Sequence, residues 1–408
     1  MGKGSNSRGL RRYNERALLT ALRKAGQCSK ADLARASNLT PQAVTRIIDE
    51  LDAMGLVIPK GRRLGGKGKP SLLYALNPAG AYSIGIKVGR LDVELSLTDF
   101  SGRSLGRIAY EFEFPEPTFL LEKIEIGISE LTSILTQEQT GKLMGVGIAM
   151  PWFMGEWSED FGFSEKLAKQ WQEINFYEAL ARRIDLEIFL ENDCSAAAVA
   201  ELQFGRGADI ATFLYVFLDT FIGGGLVLEG ELEPGVHGNS AAIASMPVPE
   251  SKLDSRIPLN GPFETLVNRA SLFVLLRHLA CHDIGIERIS ELASIMDEAR
   301  PLVQEWLDDC ADALVFAMLS AVGVLDLEAI IIDGQLPRFL IDELVDVVSR
   351  RIHKIAPHGV FEPEILAGSC GPDAIVLGGA MLPFYSHFAP DKAVLLTGGV
   401  PERVLLRS

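Results

Sequence analysis

The order of its apolar segments constrains the fold of this chain more than any other feature. A set of strand-like runs with intervening helical segments occurs once before residue 200 and again after it. A β-β-β-α-β-α unit that occurs twice predicts two copies of one α/β lobe, with a ligand cleft between the copies. The strand-like runs are 83–89, 93–97 and 143–150 in the first copy, and 212–218, 224–228 and 329–334 in the second.

Candidate ligand residues lie where the first copy ends. Asn192 and Asp193 follow an apolar strand and precede an alanine-rich helix at 194–201. A carboxylate at the carboxyl end of a strand is a typical ligand contact in α/β proteins. The glycines at 223–225 allow backbone N–H groups to approach a phosphate or a sugar. Alternatively, Asp193 only caps the helix and the glycines only turn a hairpin.

The composition predicts a soluble cytoplasmic protein. Apolar residues make up 48% and charged residues 23% of the chain, as is typical of globular proteins. No apolar run reaches the roughly 18 residues of a membrane span, and the first residues lack the apolar core of a signal peptide. The 5 cysteines are scattered without a Cys-x-x-Cys pair, as expected in a reducing compartment.

The charge of the chain is divided unevenly. Residues 1–70 carry 15 lysines and arginines against 5 acidic residues, whereas the whole chain of 408 residues has a net charge of −15. A basic head on an acidic body predicts that the head binds a polyanion while the body resists nonspecific adsorption.

The basic head has the pattern of a helix-turn-helix. Helices are predicted at 14–25 and 29–37, and a third begins after Thr40, whose side chain caps it. Apolar residues between 44 and 51 recur with helical spacing and define the buried face of this third helix. The opposite face, near the start of the helix, is that of a recognition helix in the major groove. The predicted contacts are Thr40, Gln42, Ala43, Thr45 and Arg46.

A basic, glycine-rich segment at 61–70 lies between two short strands, which is typical of the wing of a winged helix. Such a wing follows phosphates or enters the minor groove. The alternative is a small helical protein-interaction domain with an incidentally basic surface. Three helices, the wing and the charge favour a winged helix-turn-helix DNA-binding domain at 1–78. The predicted wing contacts are Arg62, Arg63, Lys67 and Lys69.

Four motifs behind this head make the chain resemble a known family. They are Asn192-Asp193, Ile222-Gly223-Gly224-Gly225, Ile332-Asp333-Gly334 and Leu377-Gly378-Gly379-Ala380. Together they resemble the ROK family of repressors, open reading frames and sugar kinases. The resemblance implies a duplicated ribonuclease-H-like, actin-like ATPase fold with lobes at 79–194 and 195–408, the C-terminal helix either staying with the second lobe or returning to the first. It also implies a sugar bound between the lobes by Asn192, Asp193 and Glu264.

The phosphate motif departs from that family. Where the family has Asp-x-Gly-x-Thr, this chain has Lys87-Val88-Gly89-Arg90-Leu91. The acid that works with Mg²⁺-ATP and the threonine hydroxyl are both missing, and phosphoryl transfer depends on such contacts. In the kinases the aspartate that matches Asp193 is the catalytic base. Here we expect Asp193 to bind sugar only, and we predict no catalytic residue.

The zinc motif of the family is also missing. Its histidine stretch is replaced by residues 240–245 and its cysteine cluster by residues 259–264, which contain no cysteine or histidine. His278, Cys281 and His282 offer metal-binding atoms one helical turn apart, but the leucines around them favour an ordinary helix surface. We therefore expect no metal and no cofactor.

Two hypotheses from different classes follow. The first is a DNA-binding transcriptional repressor of carbohydrate-related genes, controlled by a sugar or sugar derivative in the interlobe cleft. Such a repressor binds an inverted-repeat operator in double-stranded DNA as a homodimer or homotetramer. The second is an active ROK-type sugar kinase with an appended DNA-binding domain, which Lys87 and Arg90 disfavour. A weaker third is a regulator whose body answers to another ligand or to a protein.

Overall fold

The structure, a computed structural model, describes residues 7–63, 71–156, 164–259, 261–286, 288–356 and 358–390. The chain forms two compact units. The first comprises residues 1–199 and 375–408, and the second comprises residues 200–374. The basic head is therefore part of the first unit. In the described part of the chain, every helix is too short or too polar to cross a membrane.

The head consists of three helices and a small antiparallel sheet. Its elements are α1 (Ser7–Ala25), β1 (Cys28–Ser29), α2 (Lys30–Ser37), α3 (Pro41–Ala53), β2 (Val57–Arg63) and β3 (Ser71–Leu76). The strands lie in the order β1-β3-β2. The first helix begins earlier than predicted, whereas the second and third agree with the prediction. The arrangement is a winged helix-turn-helix in which β2 and β3 are the strands of the wing.

Local sequence determines where α2 and α3 begin. Ser29 and Asp32 form a capping box, in which each side chain accepts a hydrogen bond from the backbone N–H of the other residue. Thr40 caps α3, because its hydroxyl accepts from the Ala43 N–H at 3.3 Å. A cap of this kind contributes about 1 kcal/mol. The apolar face of α3 is buried as predicted, through Val44, Ile47, Ile48 and Leu51.

Helix α1 joins the head to the rest of the first unit. Arg23 donates a hydrogen bond from Nη1 to the Phe100 carbonyl at 2.9 Å, and its guanidinium lies 5.0 Å from the centre of the Phe100 ring. Phe100 also packs edge-on against Phe384 and Phe388. Burial lowers the pKa of Arg23 to about 10. The head is thus attached through a half-buried cation that has both a carbonyl and an aromatic partner.

The remainder of the first unit is built on a five-stranded sheet. Its elements are β4 (Tyr82–Val88), β5 (Asp92–Asp99), β6 (Ser104–Glu111), α4 (Pro117–Thr132), α5 (Gln137–Thr140), β7 (Leu143–Met150), α6 (Glu165–Glu173), α7 (Phe176–Ala181), β8 (Ile188–Asn192) and α8 (Asp193–Phe204). The strand order is β6-β5-β4-β7-β8. Strands β4, β5 and β6 form an antiparallel meander, while β7 and β8 run parallel to β4.

The second unit contains a sheet of the same kind. Its elements are β9 (Phe213–Leu218), β10 (Ile222–Leu228), β11 (Glu231–Leu232), β12 (Pro247–Val248), β13 (Glu264–Thr265), α9 (Val267–Ala270), α10 (Leu272–Cys281), α11 (Met296–Val322), β14 (Ala329–Gly334), α12 (Arg338–Ile355) and β15 (Glu364–Ala367). The strand order is β11-β10-β9-β14-β15, with β14 parallel to β9 and β15 parallel to β14. This order repeats that of the first sheet, which confirms the predicted duplication.

A final helix, α13 (Ala374–Phe388), packs on the sheet of the first unit. A Cβ atom on Gly147 would lie 1.9 Å from the Gly379 carbonyl oxygen, and one on Gly85 would lie 2.3 Å from the Ala380 nitrogen. Only glycine leaves room for so close an approach of backbones. In this unit Gly379 of the 377–380 motif therefore serves helix–sheet packing.

The glycines at 223–225 do not form the turn that the sequence suggested. The chain reverses at 219–221, and the three glycines lie inside β10, paired with residues 215–217 of β9. A Cβ atom on Gly224 would lie 2.9 Å from the Ala241 carbonyl oxygen. The hairpin alternative was therefore wrong about the turn, whereas the strand predicted at 224–228 is present and begins at Ile222. Pairing with β9 and the close approach of the 241 segment place the glycines inside this strand.

Candidate DNA-binding surface and effector-binding residues

The start of α3 presents an open face. Thr40, Gln42, Thr45 and Arg46 are exposed, and Ala43 is half-buried. Two of these side chains also have local structural roles: the Thr40 hydroxyl caps the helix, and the Thr45 hydroxyl donates to the Pro41 carbonyl at 2.8 Å. Gln42 and Arg46 are long enough to reach base edges, and both are residue types that read bases in the major groove.

Acidic residues on α3 are neutralised by basic residues of the head. Asp49 Oδ1 lies 2.5 Å from Lys30 Nζ, and Glu50 Oε2 lies 2.8 Å from Arg11 Nη2. These pairs are exposed and contribute little to stability. Their effect is to reduce the negative potential beside the recognition face, which favours the approach of a phosphate backbone.

The first wing strand carries two exposed arginines. Arg63 Nη2 lies 2.8 Å from Asp32 Oδ2, so Arg63 links the wing to α2. Hydrogen bonds from Ser29, with the arginines nearby, lower the pKa of Asp32 to about 2. Arg62 makes no ion pair within the described residues and is available to DNA. The predicted contacts Lys67 and Lys69 lie outside the described residues.

Asn192 and Asp193 lie at the junction of β8 and α8. The Asn192 side chain accepts hydrogen bonds from the Cys194 N–H at 3.0 Å and the Ser195 N–H at 3.2 Å, so Asn192 is the cap of α8. Asp193 Oδ1 accepts from the Cys194 N–H at 2.8 Å. Both side chains are half-buried. The carboxylate is thus held at the amino end of α8, and carboxylate oxygens are acceptors that suit hydroxyl groups.

Glu264, the third predicted effector contact, lies in the second unit. Its side chain is 7% exposed. One oxygen, Oε1, accepts from the Thr265 N–H at 2.9 Å and from Asn268 Nδ2 at 2.8 Å. These two donors fix the orientation of the carboxylate, as a hydrogen-bonding contact to a ligand requires.

The phosphate motif forms a closed turn between β4 and β5. Lys87 Nζ lies 3.4 Å from both oxygens of Asp92, and the Gly89 N–H donates to the Asp92 carbonyl at 2.8 Å. A Cβ atom on Gly89 would lie 2.5 Å from Asp92 Oδ1. The Lys87 ammonium therefore stands, paired, where the family has an acid. Arg90, half-buried in the same turn, has its pKa lowered by burial.

Two buried carboxylates in the second unit were not predicted as site residues. Glu201, which is fully buried, accepts from the Ser369 N–H at 3.1 Å and the Cys370 N–H at 3.3 Å. Asp333 accepts from the Gly371 N–H at 2.8 Å, and burial raises its pKa. The Asp333 position at the end of an isoleucine-rich strand was the available sequence signal.

These carboxylates determine what the turn at 369–371 can bind. Three successive backbone N–H groups of this kind form an anion-binding concavity when they are free. Here each of the three donates to Glu201 or Asp333. The Glu201 and Asp333 carboxylates thus already accept the hydrogen bonds of this turn. A phosphate would have to displace one of these carboxylates to bind there.

Comparisons with known proteins agree with this architecture. Residues 83–384 match the model of the ROK family, and residues 11–58 match that of a winged helix-turn-helix DNA-binding domain. Because the first match covers most of its length, the chain belongs to the ROK family.

Similar proteins include a repressor and a kinase. The chain is 23% identical to the xylose repressor of Bacillus spizizenii, over 90% of this chain and 94% of that protein. A solved ROK family transcriptional regulator, a homolog of the E. coli Mlc protein, is 18% identical with a TM-score of 0.66, over 96% of this chain and 100% of that one. The glucokinase of Streptomyces griseus, solved with glucose and AMPPNP, is 20% identical with a TM-score of 0.57, over 74% of this chain and 99% of that one. At these identities, the likeness to the solved structures establishes the fold.

Proposed function

We propose that this protein is a DNA-binding transcriptional repressor of carbohydrate-related genes that is controlled by a sugar or sugar derivative. The observation that carries the proposal is a winged helix-turn-helix, with the exposed face of α3 free of the core, joined to a ROK body. The similarity to the xylose repressor of Bacillus spizizenii extends over 90% of this chain and 94% of that protein. We infer a cytoplasmic location, because the operator of such a repressor lies there.

The partner is double-stranded DNA with an inverted repeat. Each head offers one recognition helix, and a repressor that reads two half-sites needs two heads related by a two-fold axis. The assembly is accordingly a homodimer or a homotetramer. The base-reading residues are Gln42, Ala43, Thr45 and Arg46, with Thr40 at the helix start and Arg62, Arg63, Lys67 and Lys69 on the wing contacting phosphates.

The effector is held by Asn192, Asp193 and Glu264. A sugar presents several hydroxyl groups as donors, and oriented carboxylates are the acceptors that suit them. Asp193 and Glu264 are each fixed by backbone N–H donors, so little side-chain entropy is lost when a sugar binds.

The chain does not act as a kinase. The Lys87–Asp92 ion pair occupies the turn in which the family coordinates Mg²⁺-ATP, and the N–H groups at 369–371 already donate to carboxylates. Phosphoryl transfer depends on positioned metal and phosphate contacts, which these features remove. The alternative, an active ROK-type sugar kinase with a DNA-binding head, predicts sugar-dependent ATP hydrolysis.

A two-part experiment tests the proposal. Binding sites are selected from random duplex DNA with the purified full-length protein, and the selected duplex is then titrated in the presence of a panel of sugars and sugar phosphates. We expect an inverted repeat, and at least one sugar that changes operator affinity by about 5- to 150-fold. ATP turnover is measured with the same panel. Sugar-dependent turnover without sequence-selective DNA binding would establish the kinase instead.

A further inference from the structure

Two histidines at the carboxyl end of α10 face a carboxylate from a distant turn in the second unit. His278 is fully buried, and the His282 side chain is 31% exposed. His282 Nε2 lies 3.2 Å from Asp254 Oδ2, and His278 Nδ1 lies 3.8 Å from Asp254 Oδ1. One ligand atom from each of the three residues lies within 4.8 Å of the others.

The spacing of these atoms suits a small metal ion. Zinc bonds to imidazole nitrogen and carboxylate oxygen at roughly 2.0–2.2 Å with tetrahedral geometry, which places neighbouring ligand atoms about 3.3–3.6 Å apart. The distances from Asp254 to the two rings are 3.2 Å and 3.8 Å. Binding of one ion would draw the three ligand atoms together through rotation of exposed Asp254 and of partly exposed His282.

Each ring is oriented by its other nitrogen. His282 Nδ1 lies 2.9 Å from the His278 carbonyl oxygen, so this nitrogen donates and Nε2 is left with a lone pair towards Asp254. His278 Nε2 is buried and makes no hydrogen bond within the described residues, although Glu305 Oε2 is 3.3 Å away. Such carbonyl and carboxylate partners are the usual outer contacts of metal-bound histidines.

A buried imidazole nitrogen without a hydrogen bond also needs an explanation. A buried polar group that is left unsatisfied destabilises the folded protein. Metal coordination through Nδ1 of His278 makes Nε2 a stronger donor towards Glu305, which satisfies it. The Ser255 hydroxyl lies 2.8 Å from His278 Nδ1. In this arrangement the hydroxyl is close enough to be the fourth ligand itself or to hold a water molecule that is the fourth ligand.

We propose that Asp254, His278 and His282 bind one divalent transition-metal ion of the zinc type, with Glu305 and the His278 carbonyl orienting the two rings. The ion links the turn at Asp254 to α10. The site departs from the expectation, drawn from helical spacing, that these histidines form an ordinary helix surface. Asp254 is 24 residues before His278 in sequence, and only the tertiary structure brings it to the pair. Cys281, between the histidines, is not part of the cluster.

The test uses the full-length chain without an affinity tag, stripped with a chelator and dialysed. It is titrated with Zn²⁺ by calorimetry and with Co²⁺ by visible absorption. We expect the unmodified chain to bind one ion. Binding should be abolished in Asp254→Asn and His282→Ala, and the affinity should be about 10- to 100-fold weaker in Glu305→Gln. His353→Ala is the matched control, because His353 is an exposed histidine whose Nδ1 lies 3.0 Å from Glu362. That variant should bind as the unmodified chain does.

Three results would overturn the proposal. The first is that the unmodified chain binds no more ion than His282→Ala does. The second is that Asp254→Asn still binds the ion. The third is that His353→Ala loses ion binding as fully as His282→Ala does. Circular dichroism on every variant checks folding. If His282→Ala is misfolded, Asp254→Asn decides the matter, because Asp254 is an exposed turn residue whose side chain is 72% exposed.

Discussion

At the scale of single residues, we propose that the head recognises DNA and that the body recognises the effector. Arg46 lies on the exposed face of α3, which we propose reads bases in the major groove, whereas Lys67 and Lys69 belong to a basic, glycine-rich sequence that we propose contacts phosphates. Asp193 belongs to neither, and we propose that it binds the effector. These assignments make separable predictions, because base contacts affect selectivity and phosphate contacts affect the salt dependence of binding.

Arg46→Ala should lower the preference for the operator by about 1–3 kcal/mol, because a base contact is lost. The double change Lys67→Ala with Lys69→Ala should weaken binding to all sequences alike and reduce the slope of log K against log salt by nearly 1 per lost contact. Fluorescence anisotropy on operator and random duplexes over a range of salt measures both. Equal losses of selectivity in the two variants would refute this division.

Asp193→Asn should leave operator affinity unchanged without effector but require about 5- to 150-fold more sugar to change it. The asparagine amide keeps an oxygen that can accept from the Cys194 N–H, as Asp193 Oδ1 does at 2.8 Å. The helix start is therefore preserved and only the charged acceptor is lost. The control is Asp185→Asn, an exposed carboxylate of the same unit. An unaltered sugar response would mean that Asp193 serves only the start of α8.

At the scale of elements, glycines set the distance between α13 and the first sheet. Gly147 and Gly379 approach so closely that their backbones are in contact. Backbone contact of this kind cannot relax by rotation of a side chain. The alanine-rich α8 uses the same device, since a Cβ atom on Gly378 would lie 2.0 Å from the Ala196 carbonyl oxygen.

Gly147→Ala should therefore destabilise the protein by about 1–3 kcal/mol through overpacking. Gly141→Ala is the control: its φ of −64° suits alanine, and its added Cβ atom would lie 3.4 Å from the nearest neighbour, the Glu138 carbonyl oxygen. We expect Gly141→Ala to be neutral or stabilising by up to about 1 kcal/mol. Urea unfolding followed by circular dichroism compares them. Equal midpoints for the two variants would show that α13 moves away from the sheet at little cost.

At the scale of the whole molecule, a basic head is joined to an acidic body that carries the ROK architecture. Within the first unit, Arg23 links α1 to Phe100, and Phe100 packs against the end of α13. The head is thus attached by direct contacts as well as by the chain. A repressor needs such an attachment, because a freely tethered head would bind DNA regardless of the state of the body.

Two such heads should read half-sites separated by whole turns of DNA. Inserting about 5 base pairs between the half-sites turns them to opposite faces of the duplex and should reduce affinity far more than inserting about 10. Gel shifts on the three duplexes, with light scattering to count chains per duplex, make the comparison. Affinity that is indifferent to the insertion would indicate that each chain binds DNA alone.

The sequence by itself determined the elements of this protein and their order. Capping residues such as Ser29 and Thr40, and the apolar period of α3, act over a few neighbours, so their effect is visible locally. The same holds for the strands 143–150 and 329–334, whose apolar runs were predicted with the bounds that the structure has. Lys87 in the phosphate motif was equally visible, because its charge alone changes the chemistry.

Only the tertiary structure decided how distant residues combine. Gly223 joined the strand predicted from residue 224 because it pairs with Phe217 of β9, and the 241 segment packs closely on Gly224. Glu201 and Asp333 accept hydrogen bonds from N–H groups of the turn at 369–371. Asp254 lies beside His278 and His282 at the end of α10. Such contacts depend on which surfaces folding brings together over long separations, and local propensity and period do not contain that information.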